Sequence, residues 1–203
     1  MRSKVREMMK LITEGQKLGE QGRHEEARQR FLEVYGTCQR LGIRSPQILW
    51  FLAVSSDYVG DFERALCFIR DHVQLDPLSV AGTKSLEIIS TRACEALAQD
   101  QLGEEAPRIY DLLLALDAAD IGAHAAMAKY HARVGNLQQA LTVLEAVVVL
   151  APAAVDAWWL LAEVARKAGR LDLAKEADAA LLGLRRVDQS DIFGFLPGKV
   201  ADA

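Results

Sequence analysis

Apolar residues recur along this chain three or four positions apart, which is the spacing of one face of an α-helix. The first such stripe predicts a helix from about Ser3 to Gly19, and its members are Met8, Leu11, Ile12, Gly15 and Leu18. A turn at Gly22 separates this helix from a second one, whose apolar face comprises Ala27, Phe31, Val34 and Cys38. Helix, short turn and helix then alternate to about residue 187. The pattern therefore predicts an all-α protein of about ten helices, followed by a tail at 188–203.

The chain also repeats itself with a nearly constant period. Gly135 and Ala140 correspond to Gly169 and Ala174, each 34 residues later. Followed backwards, the small residue of each second helix is Ala27, Ala65, Ala106, Ala140 and Ala174, with steps of 38, 41, 34 and 34 residues. A fixed period of about 20 to 50 residues is typical of stacked repeats. We therefore predict one array over 1–187 with five units, at about 8–41, 46–79, 87–120, 121–154 and 155–187.

Two insertions interrupt the period. Four extra residues, Leu41 to Arg44, are followed by Ser45 as a helix N-cap and by Pro46 at the first helical position, where its missing N–H costs nothing. Seven extra residues lie within Leu78 to Leu86. Because seven residues are close to two turns at about 3.6 residues per turn, a longer helix keeps its apolar stripe in phase. We predict this long helix from about Thr83 to Asp100.

The second unit carries the fullest version of a recognisable pattern, formed by Leu49, Leu52-Ala53, Gly60-Asp61, Ala65, Ile69 and Asp76-Pro77. It resembles the tetratricopeptide repeat family, whose helix-turn-helix unit of about 34 residues has a large residue, Leu-Gly, Tyr, Ala, Phe and Pro in order. The resemblance covers about residues 8–187. It implies a right-handed α-solenoid of about five units, with the first helix of each unit lining a concave face that holds a peptide or a helix.

Composition and charge exclude several classes of partner. The formal net charge is -4 and the isoelectric point is about 5.6, so a nucleic-acid partner is not expected. No apolar run approaches the roughly 20 residues that cross a bilayer, so membrane insertion is not expected.

Three cysteines lack the spacing of a zinc site and are typical of a reducing compartment. We expect a soluble cytoplasmic protein, and the Ala, Leu and Arg usage is compatible with a bacterial source.

A search for catalytic chemistry finds near misses. His124 and His131 share a helix face, but they occupy positions where the tetratricopeptide pattern carries large aromatic residues, which favours packing over metal binding. His24 begins a segment like that of a zinc protease, but Arg28 stands where the second metal ligand is needed. The segment Gly194 to Lys199 has one residue too few between its glycines for a phosphate loop. We therefore expect no catalytic residue, no metal and no cofactor, and the chain is not expected to be an enzyme.

The inner face implied by the resemblance is the candidate site. Its amino-terminal half is apolar and aromatic, comprising Met9, Ile12, Gln16, Trp50, Phe51, Val54 and Tyr58. Its carboxyl-terminal half is charged and net basic, comprising Arg92, Glu95, Lys129, Arg133, Trp159, Glu163, Arg166 and Lys167. This asymmetry predicts a partner segment with an apolar anchor and an acidic portion. Alternatively, Trp50 and Phe51 belong to the core, because the insertion just before them disturbs the register.

These observations favour a non-enzymatic adaptor that holds a peptide or helix of a partner protein in its groove. The alternative is a bacterial export chaperone of tetratricopeptide type that shields apolar segments of a client. A co-chaperone of the heat-shock type is disfavoured, because Gln16, Val54 and Glu95 stand where the polar donors of its carboxylate clamp are expected.

The tail is too apolar for an ordinary disordered end, and its apolar residues are Ile192, Phe193, Phe195 and Leu196. One interpretation is that it folds back as a cap over the last helix. The other is that it is a linear motif that binds a partner. The same segment and the uncapped ends of the array also suggest association into a homodimer.

Overall fold

The computed structural model describes the backbone of residues 2–193 and the side chains of residues 3–184. Within this range the chain is helical and has no strand, which confirms the predicted all-α fold of about ten helices. The helices are α1 (Arg2–Glu20), α2 (His24–Arg40), α3 (Pro46–Tyr58), α4 (Phe62–Leu75), α5 (Val80–Ala98), α6 (Ala106–Leu116), α7 (Ile121–Arg133), α8 (Leu137–Leu150), α9 (Val155–Lys167) and α10 (Leu171–Phe193). A short 3-10 helix, Gly103–Glu105, precedes α6.

The helices fall into two compact units. The first comprises Met1–Leu97 and Gln101–Ala118, and the second comprises Ala98–Asp100 and Ala119–Ala203. Helices α1 to α6 lie in the first unit, apart from the last residue of α5, and α7 to α10 lie in the second. In the first unit α1 pairs with α2 and α3 pairs with α4, while α2 also packs on α3. In the second unit α7 pairs with α8, α9 pairs with α10, and α8 packs on α9.

A glycine closes the turn of four helix pairs, as the sequence predicts. Gly22, Gly60, Gly135 and Gly169 have φ between 73° and 85°, a conformation that is strained for residues with a β-carbon. At Gly60 the backbone N–H of Asp61 donates to the carbonyl of Ser56 at 3.0 Å, so the turn satisfies one of the last carbonyls of α3. The equivalent bond follows each of the other three glycines. Identical turns explain why three residues separate the helices of these pairs.

Both insertions have the predicted consequence. Ser45 caps α3, because its Oγ accepts a hydrogen bond from the N–H of Ile48 at 3.4 Å, and Pro46 is the first helical residue. The seven-residue insertion lengthens α5, which has 19 residues where α3, α7 and α9 each have 13. Helix α5 starts at Val80, three residues before the predicted Thr83, because Ser79 accepts a hydrogen bond from the N–H of Gly82 and stabilises its first turn. The third predicted unit, 87–120, therefore begins inside this helix.

The recurring alanines lie in the core. Ala27, Ala65, Ala106, Ala140 and Ala174 are all at most 3% exposed, which matches their predicted role at the close approach of paired helices. Around Ala27 the first unit buries Leu18, Phe31, Val34, Ile48 and Leu52 in one cluster. Around Ala140 the second unit buries Leu141, Leu144, Leu161 and Val164. These clusters fix the positions of α1, α3 and α9, which carry residues of the predicted groove.

The end of the last helix differs from the prediction. We expected it to end near Arg186, but α10 continues to Phe193, because no glycine or proline occurs between Gly183 and Gly194 to stop it. Ile192 and Phe193 therefore belong to α10, although their side chains lie outside the described residues. Phe195 and Leu196 lie outside the described residues altogether. The two interpretations of the tail remain predictions.

Candidate functional site

A concave site of about 400 Å³ lies in the first unit, among residues of α1, α2 and α3. We call it the amino-terminal site. Its lining consists of Gly15, Gln16, Gly19, Glu20, His24, Ala27, Phe31, Trp50, Phe51, Val54, Ser55 and Tyr58. The structure therefore brings together five residues of the predicted groove, namely Gln16, Trp50, Phe51, Val54 and Tyr58. A site of this size is within the range of about 300 to 1,000 Å³ that holds small ligands or large side chains.

The floor of the amino-terminal site is aromatic. Phe31, which is 4% exposed, stacks on Phe51 with their ring centroids 4.8 Å apart and an interplanar angle of 9°. Trp50 packs against Phe51 at 5.2 Å between ring centroids. Its indole Nε1–H donates to Ser85 Oγ at 2.9 Å, so the orientation of the indole is fixed. Trp50 and Phe51 are half-buried, and each contributes both to the packing of the first unit and to the site.

Two glycines shape the wall that α1 contributes, in different ways. A β-carbon at Gly15 would stand 2.6 Å from Cε1 of Phe31, so the glycine lets α1 and α2 approach each other closely. A β-carbon at Gly19 would meet no atom within 4 Å, so this position opens onto the site. Neither glycine has a positive φ. Gly15 therefore serves packing, whereas the absence of a side chain at Gly19 leaves room for another molecule.

The rim carries a stacked pair and one ion pair. Tyr58 is 57% exposed, and the ring of His24 stacks on it with centroids 4.0 Å apart and nearly parallel planes. The guanidinium carbon of Arg92, from α5, lies 5.9 Å from the centroid of the Tyr58 ring, within the range of a cation–π interaction. Arg92 also pairs with Asp57, which is 4% exposed. The charge of Arg92 at this rim is thus matched by a carboxylate of the protein itself.

Asp57 is an unusual residue for the middle of a helical core. Burial raises the pKa of its carboxyl group, and the charge of Arg92 opposes that rise. Within the described part of the chain Oδ1 of Asp57 is buried and accepts no hydrogen bond, while Oδ2 faces Arg92. The ion pair joins α3 to α5, 35 residues apart. Sequence reasoning assigned Arg92 to the predicted groove but did not identify Asp57, the buried carboxylate with which it pairs.

The other predicted lining residues of the first unit lie outside the amino-terminal site. Ile12 is half-buried and packs on the core cluster around Phe31. Met9, which is 58% exposed, and Glu95 face solvent. The structure adds Gly19, Glu20 and His24 to the site, which lie at the end of α1 and the start of α2, on either side of the turn between these helices. Gly22 predicts that turn. The apolar pattern of a single helix does not indicate which side chains near the turn reach the site.

In the second unit the predicted lining is less basic than its composition suggests. Lys167 Nζ lies 2.6 Å from Glu163 Oε1, and Arg166 pairs with Asp178 of α10 at 2.6 Å. Lys129 and Arg133 are exposed and form no ion pair within the described residues. Trp159 is 60% exposed. Within the described residues, two of the four predicted cations, Arg166 and Lys167, are therefore paired with carboxylates. Sequence reasoning did not identify Asp178 as the partner of Arg166.

Metal-ligating side chains do not cluster in the described part of the chain. In residues 3–184 no group of three or more His, Cys, Asp or Glu side chains could hold a metal ion. Burial lowers the pKa of His131, as expected for a packed imidazole.

A larger cleft of about 690 Å³ lies beside the Leu41–Arg44 insertion, with a mixed lining that includes Tyr35, Gln39 and Asp71. No helix in the described range is long and apolar enough to span a membrane.

Comparison with known proteins gives a likeness in fold. No family model matches the chain, and no curated protein matches it. The crystal structure of MamA protein is 15% identical to this chain with a TM-score of 0.52, over 96% of this chain and 98% of that chain. A MamA RS-1 double mutant is 18% identical with a TM-score of 0.50, over 90% and 97% of the two chains. MamA AMB-1 is 13% identical with a TM-score of 0.50, over 89% and 92%. At these identities the likeness is one of fold alone, and the chain has the α-solenoid fold of helical repeats that these structures share.

Proposed function

We propose that this chain is a non-enzymatic scaffold of tetratricopeptide type, which binds a segment of a partner protein in its amino-terminal site. The observation that carries the proposal is the site itself, since an aromatic floor, an open glycine position and an exposed tyrosine rim meet in one concavity. Tryptophan and tyrosine are the residue types that most often dominate the energy of protein interfaces. The recurring Gly turns and buried alanines support the assignment to the tetratricopeptide class.

The lining also indicates the chemistry of the partner segment. The floor consists of Phe31, Phe51 and Trp50, and the aromatic surface that the half-buried Phe51 and Trp50 leave exposed favours burial of an apolar side chain by about 25 cal/mol for each Å² removed from water. The charge of Arg92 at the rim is matched by Asp57, and Glu20 lies in the lining. We therefore expect a large apolar side chain, rather than an acidic group, to anchor the partner at this site.

Site-specific crosslinking tests the proposal directly. A photoreactive phenylalanine replaces Tyr58 on the rim in one variant and replaces Gln29, an exposed residue of α2 outside the site, in a second variant. Both variants are expressed in the source cell and irradiated. We expect position 58 to capture one reproducible segment with a large apolar residue, and position 29 not to capture it. Capture of the same proteins at both positions would contradict the proposal.

A matched pair of substitutions then measures the contribution of the site. Gly19→Leu places a side chain in the site, whereas Gly36→Leu makes the same change in α2, where a β-carbon also meets no atom within 4 Å. Neither position has a positive φ, so both variants are expected to fold. We expect Gly19→Leu to weaken binding of the captured segment by about tenfold or more, about 1.4 kcal/mol, and Gly36→Leu to leave it unchanged. Equal affinities would show that the segment binds elsewhere.

An export chaperone of tetratricopeptide type is the second candidate, and the apolar lining of the amino-terminal site favours it equally. The two functions differ in what the partner does when it is alone. A chaperone client aggregates without this chain, so light scattering of the client would fall when the chain is added, whereas the partner of an adaptor stays in solution. A cytoplasmic location is part of both proposals.

A further inference from the structure

The amino-terminal site has two chemically different ends. Its two ring stacks are Phe31 on Phe51 and His24 on Tyr58, and they are seven residues apart both along α2 and along α3. Seven residues of α-helix span about 10.5 Å, so the stacks mark opposite ends of the site. The end at Phe31 is apolar and includes Trp50. The end at Tyr58 presents an imidazole and a phenol hydroxyl.

Glu20 lies toward the polar end. Helix α1 approaches Phe31 at Gly15, which places that residue at the apolar end. Glu20 follows Gly15 by five residues, or about 7.5 Å along the helix axis, in the direction of the turn that leads to His24. The side chain of Glu20 is exposed. Among the described lining residues, Glu20 is the one Asp, Glu, Lys or Arg, so the lining carries a negative formal charge.

The nearby cations of this chain do not neutralise that carboxylate. Lys17, one turn earlier on α1, lines a separate cleft. Arg23 in the turn pairs with Glu26, and Arg92 at the rim is already paired as described above. With the residues that the structure describes, Glu20 forms no ion pair. The site therefore combines an aromatic floor with one carboxylate that is open to a cation from another molecule.

We propose that the partner segment carries a lysine or an arginine about three positions from its apolar anchor, and that this basic side chain binds Glu20. The inference rests on the proposed function, because it specifies the segment that the same site takes. Three residues of extended chain span about 10 Å, which matches the distance between the two ends of the site.

The aromatic floor supports the same choice of side chain. Lysine and arginine have an apolar stem, which can pack on aromatic surface while the charged head stays in water. The half-buried Trp50 leaves such surface exposed, and its indole is held by Ser85. A cation over the face of an indole is also favourable. An acidic side chain would gain neither contact and would be repelled by Glu20.

Selection from a displayed library of random dodecapeptides tests the preference. The library is first passed over immobilised Gly19→Leu chain, which removes peptides that bind outside the site, and is then selected on the wild-type chain. We expect the selected peptides to carry a large apolar residue with a lysine or arginine about three positions away. Selected peptides without that basic residue would overturn this inference and leave the proposed function standing. Failure to select any peptide that Gly19→Leu excludes would contradict both.

Three variants then assign the preference to Glu20. Glu20→Gln removes its charge and Glu20→Lys reverses it, whereas Glu7→Gln makes the same charge change at an exposed residue of α1 outside the site. The probes are one selected peptide and the same peptide with glutamate in place of its basic residue.

The expected changes in affinity differ between the variants. Glu20→Gln should weaken the selected peptide by about two- to fivefold, the range of an exposed ion pair. Glu20→Lys should prefer the glutamate peptide, and Glu7→Gln should bind both peptides as the wild type does. An unchanged preference in Glu20→Lys, or an equal effect of Glu7→Gln, would show that the basic residue does not bind Glu20.

Discussion

Gly15 of α1 faces the ring of Phe31 of α2 with no room for a β-carbon, which would lie 2.6 Å from Cε1 and 2.8 Å from Cζ. The ring cannot move aside easily, because Phe31 is buried and its other face stacks on Phe51. The close approach of α1 and α2, and with it the wall of the amino-terminal site, therefore depends on a residue that has no side chain.

The first prediction compares two alanine substitutions on the same helix. Gly15→Ala should lower the free energy of unfolding by about 1 to 3 kcal/mol, because the added methyl group overpacks the contact with Phe31. Gly19→Ala should instead raise it by up to about 1 kcal/mol, because alanine favours the helix and its methyl group meets open space. Urea denaturation of the two variants beside the wild type measures both changes. Similar values for the two would show that Phe31 accommodates the methyl group.

The second prediction concerns Arg92, whose removal leaves Asp57 buried without its cation. Arg92→Met should lower the unfolding free energy at neutral pH by about 1 to 3 kcal/mol, at the low end of that range because the Arg92 side chain is 41% exposed. Burial already holds the pKa of Asp57 above its ordinary value of 3.8, and loss of Arg92 raises this pKa further. The destabilisation should therefore be present above these raised pKa values and disappear as the pH falls through them, because protonated Asp57 needs no cation.

The control for this pH dependence is Arg166→Met. Arg166 and Asp178 pair across exposed surfaces, with side chains 52% and 47% exposed. An exposed pair contributes between about 0 and 1 kcal/mol, so this variant should change little at any pH. Urea denaturation of both variants from pH 4 to 7 is the measurement, where the lower limit of about 4 lies near the ordinary pKa of an aspartate. A constant effect of Arg92→Met over this range would mean that Asp57 does not titrate there.

The third prediction concerns the junction of α4 and α5. The imidazole of His72 is 4% exposed, and its Nδ1 lies 2.8 Å from the carbonyl oxygen of Pro46. A β-carbon at Gly82 would overlap the other side of this ring. Gly82→Ala should therefore lower the unfolding free energy by about 1 to 3 kcal/mol. In the His72→Ala background the same substitution should cost about 1 kcal/mol less or become neutral, and additive effects in this double-mutant cycle would contradict the contact.

The fourth prediction separates two neighbouring tryptophans of α9. Trp158 is half-buried and its indole N–H donates to the carbonyl of Pro152 at 2.8 Å, whereas Trp159 is 60% exposed. Trp158→Ala should lower the unfolding free energy by about 2 kcal/mol or more, while Trp159→Ala should change it by no more than about 0.5 kcal/mol. If the second unit also contacts the partner, Trp159→Ala should weaken the complex by about 1 kcal/mol or more with the fold unchanged. Unaltered affinity would restrict binding to the first unit.

Local signals account for the part of the fold that could be predicted. Gly22 and Gly60 mark turns because the left-handed conformation favours glycine, and Ser45-Pro46 marks a helix start because both residues favour that position. The end of α10 could not be predicted in the same way. The amphipathic stripe fades near Arg186, but no residue there stops a helix, so α10 continues to Phe193.

The candidate site was predicted less completely, because it depends on contacts between helices. Periodicity within α3 places Trp50, Val54 and Tyr58 on one face, and the structure brings them to one site. Periodicity cannot indicate that His24, at the start of α2, stacks on Tyr58. Nor can it indicate that Asp57 pairs with Arg92 of α5. These pairings result from the packing of α1, α2, α3 and α5 against one another. The apolar stripe of a single helix does not specify that packing.

The position of Trp50 also gives the amino-terminal site an intrinsic fluorescent probe. The chain has three tryptophans. Trp50 lies in the first unit, and Trp158 and Trp159 lie in the second. With both later indoles replaced by phenylalanine, all remaining tryptophan emission would come from the floor of the amino-terminal site. The chain would then report occupancy of that site by its own fluorescence, without any attached dye.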